Sequence, residues 1–346
     1  MASQDKKLLI INILDILQKK TDANHRLTQK QIMDLLERDY NMVVNRKSVK
    51  RNLSELADFG YPVEHEEIRR GTDPDEDPIC TNWYYNHKIT DAELRLIIDS
   101  LLAAKFIPHG NCMQLIEKLK ELSSEYFSHK VRHIAELHKR DSENKQLFYS
   151  IETIDEAIEK GKKVGFCYTT FGTDKQIHKK QNRTGQPIRY VVSPYQMAIA
   201  NGRYYLICNT DGHTDLSVYR MERILQIELL DSEPIKPLRE IPGYSNSLDL
   251  NSFMEEHLYM SSGESDLVSF RIAKSRLDDV NDWFDMASVR VSNEDKEAVT
   301  ITARVNLKAM KYWAIQYCPY VEVISPVGLR NEIRQTLYRA AKKYNG

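Results

Sequence analysis

Cysteine is scarce and scattered in this chain. Five residues (Cys80, Cys112, Cys167, Cys208 and Cys318) make an odd number, and none forms a Cys-x-x-Cys pair. A disulfide framework and a zinc ribbon are therefore not expected. No run of apolar residues approaches the ~20 needed to span a bilayer, so no membrane partner is expected. The N-terminal Met1-Ala2-Ser3-Gln4-Asp5-Lys6-Lys7 leads into an amphipathic segment without a small-residue cleavage site, so no signal peptide is read and a cytoplasmic location is expected. A P-loop, Gly-x-Gly-x-x-Gly, His-Glu-x-x-His and paired carboxylates in a cleft-like sequence are all missing, which argues against an enzyme and against a cofactor. Neither sign of charge dominates. The net charge of −1 neither supports nor excludes a nucleic-acid partner, because such binding needs a local basic face rather than a basic average.

What is present fits a folded chain of two or three domains: 346 residues, 41% hydrophobic and 29% charged. Leu9, Ile10, Ile13, Leu14, Ile16 and Leu17 recur at helical spacing between Lys6 and Lys20. Thr28 is placed to cap a second helix, Gln29 to Arg38, and Asn45 a third, running to about Phe59. On the third helix Val49, Leu53 and Leu56 form an inward stripe, while Lys47, Lys50, Arg51 and Ser54 share another face with Arg46 beside them. Two strands follow, Val63 to Arg70 and Ile79 to Asn86, with an acidic tip between them. Three helices and a two-stranded wing are the order of a winged helix-turn-helix, whose third helix enters the major groove. Asn45, Arg46, Lys47, Ser48, Lys50 and Arg51 are then the DNA-reading candidates, and Arg69 and Arg70 at the wing base are better placed than the acidic tip. The bland alternative is a solvated charged face.

Thr90 and Glu93 form a capping box opening a helix, and with a partner from Asn111 to Tyr126 they make an αα-hairpin. The breadth of its apolar surface suits part of a dimer contact. His129 and His133 stand four apart, but Lys130 replaces the glutamate of a zincin and no third ligand is near, so no metal is expected. After a short helix from Ile151 to Lys160, strands are expected at Lys163 to Tyr168, Arg189 to Val192, Tyr195 to Ala200, Tyr204 to Cys208, Leu216 to Tyr219 and Leu225 to Leu230. Tight turns at Asn201-Gly202 and Asp211-Gly212 suggest a small bent sheet or barrel, with the polar Phe171 to Gln186 segment as a loop over one face. From Gly263 to Tyr344 the order is β-α-β-β-α-β-α, ferredoxin-like in type.

Tyr204-Tyr205-Leu206, with Ser193-Pro194-Tyr195, Gly202-Arg203 and Tyr219-Arg220-Met221-Glu222-Arg223-Ile224 around it, resembles the motif of the bacterial WYL-domain transcriptional regulators, tyrosine standing for the usual tryptophan. Thr90-Asp91-Ala92-Glu93-Leu94 and Phe166-Cys167-Tyr168 also resemble family positions, and Trp313 and Ser325-Pro326 resemble its C-terminal extension more weakly. The resemblance implies an α+β multidomain chain. Its parts would be a winged helix-turn-helix over 1–88, a helical linker over 89–143, a small Sm- or SH3-like β-barrel over 144–236 and a ferredoxin-like extension over 237–346.

It further implies a homodimer bound to a double-stranded DNA operator, an inverted repeat matching two-fold symmetry. The barrel would sense a nucleotide or oligonucleotide effector through Tyr195, Tyr205, Arg220 and Arg223, with Arg189 and His178 as additions. Arginine suits phosphate and an aromatic face suits a base. Neighbouring strand residues face opposite sides, so at most one of Tyr204 and Tyr205 lines the pocket. Tyr204, which stands for the family's tryptophan, is expected in the core and Tyr205 outward. Arg220 and Arg223, three apart, converge only if the strand ends or bulges between them. The competing readings are a nucleic-acid-processing enzyme and a protein-interaction module without a small ligand.

Overall fold

The computed structural model describes residues 6–69, 78–127 and 146–344. The chain separates into two compact units, Met1–Asp141 and Ser142–Gly346.

In the first unit a short 3-10 turn leads into α1 (Leu9–Lys20), followed by α2 (Gln29–Tyr40) and α3 (Arg46–Asp58). Thr28 and Gln31 form a reciprocal capping box at the start of α2, and Asn41 ends it in the left-handed region at φ 52°. The Asn45 side chain accepts the Ser48 N–H at 2.8 Å and starts α3. Ile13, Ile16, Leu17, Ile32, Leu36, Val49, Leu53 and Leu56 close one core, with Trp83 among them. Trp83 belongs to β2 (Ile79–Tyr85), which pairs antiparallel with β1 (Val63–Ile68). Then α4 (Asp91–Ala103) and α5 (His109–Lys120) pack through Leu94, Ile98, Cys112 and Ile116, with Phe127 buried against them. The Thr90–Glu93 capping box is present. Leu96 and Ile97 on α4 remain exposed. Arg70, the acidic wing tip, His129 and His133 lie outside the described residues.

The second unit begins with α6 (Leu147–Lys160), whose buried stripe is Leu147, Ser150, Thr153, Ile154 and Ala157, and whose end is Gly161 at φ 61°. It packs against β3 (Lys162–Phe171), β5 (Arg189–Ala200) and β8 (Ile224–Pro234). With β4 (Ile177–Lys179), β6 (Arg203–Thr210) and β7 (Ser217–Arg220) these make one six-stranded antiparallel sheet. β3 is its centre, joined to β5, to β8 and, at its end, to β4. The expected closed barrel is not found: β7 pairs with β6, β8 pairs with β3, and no ladder joins β7 to β8. The reason is local. Between them the backbone leaves extended geometry for a 3-10 turn, Met221–Arg223. Two further departures from the expected strands are β4, inside a segment read as a loop, and β5, which runs unbroken through Ser193-Pro194. Proline cannot donate to a ladder, and a register shift between Pro194 and Gln196 absorbs it.

The face of this sheet carrying Ala198, Tyr205 and Ile207 is covered by Leu238, Ile241, Phe253 and Met260, Phe253 lying on α7 (Leu250–Glu256). Next come β9 (Ser265–Ala273), α8 (Leu277–Asn281), β10 (Arg290–Ser292), β11 (Ala298–Asn306), α9 (Leu307–Gln316), β12 (Val321–Ser325) and α10 (Val327–Tyr344). The sheet order is β10-β11-β9-β12, antiparallel throughout. Its core gathers Val268, Phe270, Ile272, Ile301, Met310 and the fully buried Trp313.

Candidate functional site

The 3-10 turn that keeps the sheet open is also where charge collects. β7 ends at Arg220, Met221 is fully buried as the anchor of the turn, and Arg223 closes it before β8 resumes. The strand therefore does end between the two arginines, which is the condition their convergence required. Both positive charges bear on the hydroxyls of Tyr168 and Tyr205. Arg203 joins them. Its Nη1 donates to Glu222 Oε1 at 2.9 Å, and the same oxygen accepts from Arg220 Nε at 2.8 Å and from Arg220 Nη2. Glu222, in the middle of the turn, has only 8% of its side chain exposed. Three guanidinium groups against one carboxylate leave this corner cationic.

Tyr168 ties the corner to β3. Its hydroxyl accepts the backbone N–H of Arg220 at 3.0 Å, and its ring lies 5.3 Å from the Lys180 ammonium. Burial raises its pKa, opposed by that N–H and by the charges of Arg223 and Arg220. Phe166, Tyr190 and Tyr219 complete an aromatic group with it, Tyr219 standing 5.0 Å from Tyr168 and 5.5 Å from Tyr190 between ring centroids. Tyr190 and Tyr219 are only half-buried, so part of the group stays accessible.

Tyr205 and Tyr204 are placed the other way round from the expectation. Tyr205 is 7% exposed and sits in the covered core, while Tyr204 is half-buried. The turn decides this. Asn201 and Gly202 both have positive φ, 52° and 69°, as a two-residue type I′ hairpin demands. That turn pairs Ala200 with Arg203, hence Ala198 with Tyr205 and Ile199 with Tyr204. Ala198 is buried and Ile199 is exposed, so the register fixes which tyrosine goes in. Burial pushes the Tyr205 hydroxyl's pKa up, against the lowering pull of Arg220 and Arg203.

The other ligand candidates are engaged elsewhere. The Tyr195 hydroxyl donates to the Lys236 carbonyl at 2.7 Å, holding the segment after β8 against β5, and burial pushes its pKa to about 12. Arg189 reaches across β3 to Glu228 on β8, its guanidinium lying over Gly165, where a Cβ would come within 2.5 Å of Arg189 Nη2. His178 is exposed on β4 and bonds Asp174 at 2.7 Å. Arg203 was not among the sequence candidates. The signal for it was its place two residues before Tyr205 on one strand, which puts both side chains on the same face.

On α3 the DNA-reading candidates divide by role. Lys47, Lys50 and Arg51 are exposed, Arg51 with Glu55 one turn on at 3.4 Å. Asn45 and Ser48 form the helix cap, and Arg46 Nε donates to Gln29 Oε1 at 2.7 Å, clamping α3 to the start of α2. Arg69 is exposed just past β1. β1 itself is acidic, and Arg26 and Asn82 hold its Glu66. Among the described residues, no group of three His, Cys, Asp or Glu could hold a metal ion.

A separate cleft in the second unit, lined by Asp215, Asp249, Glu256, Glu264 and Arg304, has the wrong sign for an anion. Its buried His257 stacks on Phe253 and donates from Nδ1 to the Phe253 carbonyl at 2.8 Å.

Residues 150–229 match the family model described as the WYL domain, a range that takes in most of α6, β3 to β7, the arginine turn and the first half of β8. No curated protein matches the chain. Among solved structures, it is similar to proteasome accessory factor B/C (PafBC) of Arthrobacter aurescens at 13% identity and a TM-score of 0.28, covering 97% of this chain and 49% of that one. It is also similar to a CRISPR Cas-related protein at 14% identity and a TM-score of 0.36, covering 100% of this chain and 88% of that one. The chain thus spans about half the length of the PafBC chain.

Proposed function

We propose that this chain is a homodimeric, DNA-binding transcriptional regulator whose WYL domain binds a nucleotide-like or oligonucleotide anion and thereby adjusts operator binding. It acts by binding and not by catalysis. The observation that carries the reading is the gathering of Arg203, Arg220 and Arg223 around one turn of the WYL domain, a domain that also holds the half-exposed rings of Tyr190 and Tyr219. Guanidinium forks grip phosphate oxygens, and base-on-aromatic stacking adds ~1–3 kcal/mol per base. The first unit supports the DNA half of the proposal as a winged helix-turn-helix. Lys47, Lys50 and Arg51 project from α3, whose cap and Arg46 clamp fix its start. The exposed Leu96 and Ile97 of α4 offer apolar surface for the dimer.

The test uses the full chain and a fluorescein-labelled, 5′-phosphorylated thymidine tetranucleotide. Replacing Arg220 and Arg223 together by alanine is expected to weaken binding at least tenfold with an unchanged circular dichroism spectrum. Equal affinity in the double variant would return both arginines to a structural role and remove the ligand half of the proposal.

A further inference from the structure

We propose that Glu222 is a resident counter-anion of the arginine corner, displaced when a phosphate ligand enters, and that it sets which anions the WYL domain accepts. The inference rests on the anion-binding reading above and names the residue that regulates that site. Arg220 presents the Nε and Nη2 edge of its guanidinium to a single oxygen, Glu222 Oε1, which Arg203 Nη1 also reaches at 2.9 Å. That edge is the one a phosphate takes in a bidentate contact. A ligand cannot use it while the carboxylate is in place.

The turn is built so that the carboxylate can leave without unfolding it. Met221 is fully buried, the Arg220 N–H is held by Tyr168, and the Ile224 N–H closes back on the Met221 carbonyl. None of these contacts involves the Glu222 side chain. Arg223 closes the same turn and, among the described residues, has no carboxylate within ion-pair range. It is therefore the contact open to an arriving anion, with Arg220 and Arg203 becoming available as Glu222 swings out.

Selectivity follows from this exchange. A carboxylate-bearing ligand brings one charge and replaces like with like, whereas a phosphate ester or a phosphodiester chain brings more charge and more acceptor oxygens. Separating the buried Glu222 carboxylate from its half-buried arginine partners is costly, so weakly charged anions do not displace it. The resident carboxylate thereby acts as a threshold.

The experiment compares the wild-type full chain with Glu222→Gln, which keeps an oxygen at the Oε1 position and drops the charge. The probes are the same phosphorylated tetranucleotide and sodium acetate, followed by calorimetry. Glu222→Gln is expected to bind the tetranucleotide about tenfold more tightly and to gain measurable acetate binding that wild type lacks. If Glu222→Gln binds the tetranucleotide equally or more weakly, while Arg220→Ala with Arg223→Ala still abolishes wild-type binding, the counter-anion role is overturned and the arginine site stands. If neither protein's binding depends on the arginines, the site reading fails and takes this inference with it. Should Glu222→Gln melt at a markedly lower temperature than wild type, Glu222→Asp replaces it. Its carboxylate is one methylene short of the arginines, so a gain in tetranucleotide affinity supports the role and no gain overturns it.

Discussion

Tyr204 and Tyr205 show how much a single residue's role depends on what lies across the strand. Adjacent residues must face opposite ways, and that much was legible. Which one faces inward was decided by the Asn201-Gly202 turn and by a cover, residues 238–260, that strand alternation does not reveal. Tyr204 was expected inward because it stands for a tryptophan, but the register sets it opposite the exposed Ile199. Arg189 was hidden for a related reason, since its partner Glu228 is distant in sequence and is reached only because residue 165 is glycine.

His257 belongs to the same scale. Burial holds its pKa below the ordinary 6.5, and its Nδ1–H is committed to the Phe253 carbonyl. A folded-state pKa below the unfolded one means that the unfolded chain binds the proton more readily. The stabilisation is therefore complete above about pH 6.5 and declines as pH falls towards the lower folded value. In urea unfolding, wild type is expected to lose more stability than His257→Gln between pH 7.5 and 5.5, by up to about 1.4 kcal/mol for each unit of depression. Parallel losses in the two proteins would show that His257 does not titrate in this way.

Among the elements, α3 was the most legible. Its Asn45 cap, its Val49, Leu53 and Leu56 stripe and its end near Phe59 all come from side chains within the helix itself. What the helix pattern did not separate was exposed charge from charge used in packing. Arg46 reads as one more basic residue until its bond to Gln29 is seen. The exposed pair Lys50 and Arg51 should carry phosphate contact. In fluorescence titrations with duplex DNA, Lys50→Ala with Arg51→Ala is expected to weaken binding and to reduce the slope of log K against log salt by about 0.9 per lost phosphate contact. An unchanged slope would place DNA elsewhere on the unit. The turn Met221–Arg223 was less legible. Spacing posed the question of a break between the arginines, but only the structure gave its form.

At the scale of the molecule, the helices and most strands were legible because each follows from a local period. Closure of the central sheet was not, since it depends on whether two strands at opposite ends of the order meet. They do not meet, and at the end of β7 the Tyr168 hydroxyl stands where a neighbouring strand's carbonyl would otherwise accept the Arg220 N–H. That substitution has a consequence in time. An amide held by one side-chain oxygen opens on its own schedule rather than with the sheet, so deuterium uptake at Arg220 becomes a clock for the seam. Tyr168→Phe keeps the ring and deletes the acceptor. Read by NMR, it should quicken exchange at Arg220 while leaving the amides of Leu206 and Ile207 on the neighbouring strand slow, and equal rates at Arg220 in the two proteins would mean that the seam is fastened by something other than this hydroxyl. A ligand that settles on the arginines would slow the same clock, giving a readout of occupancy that needs no label on the ligand.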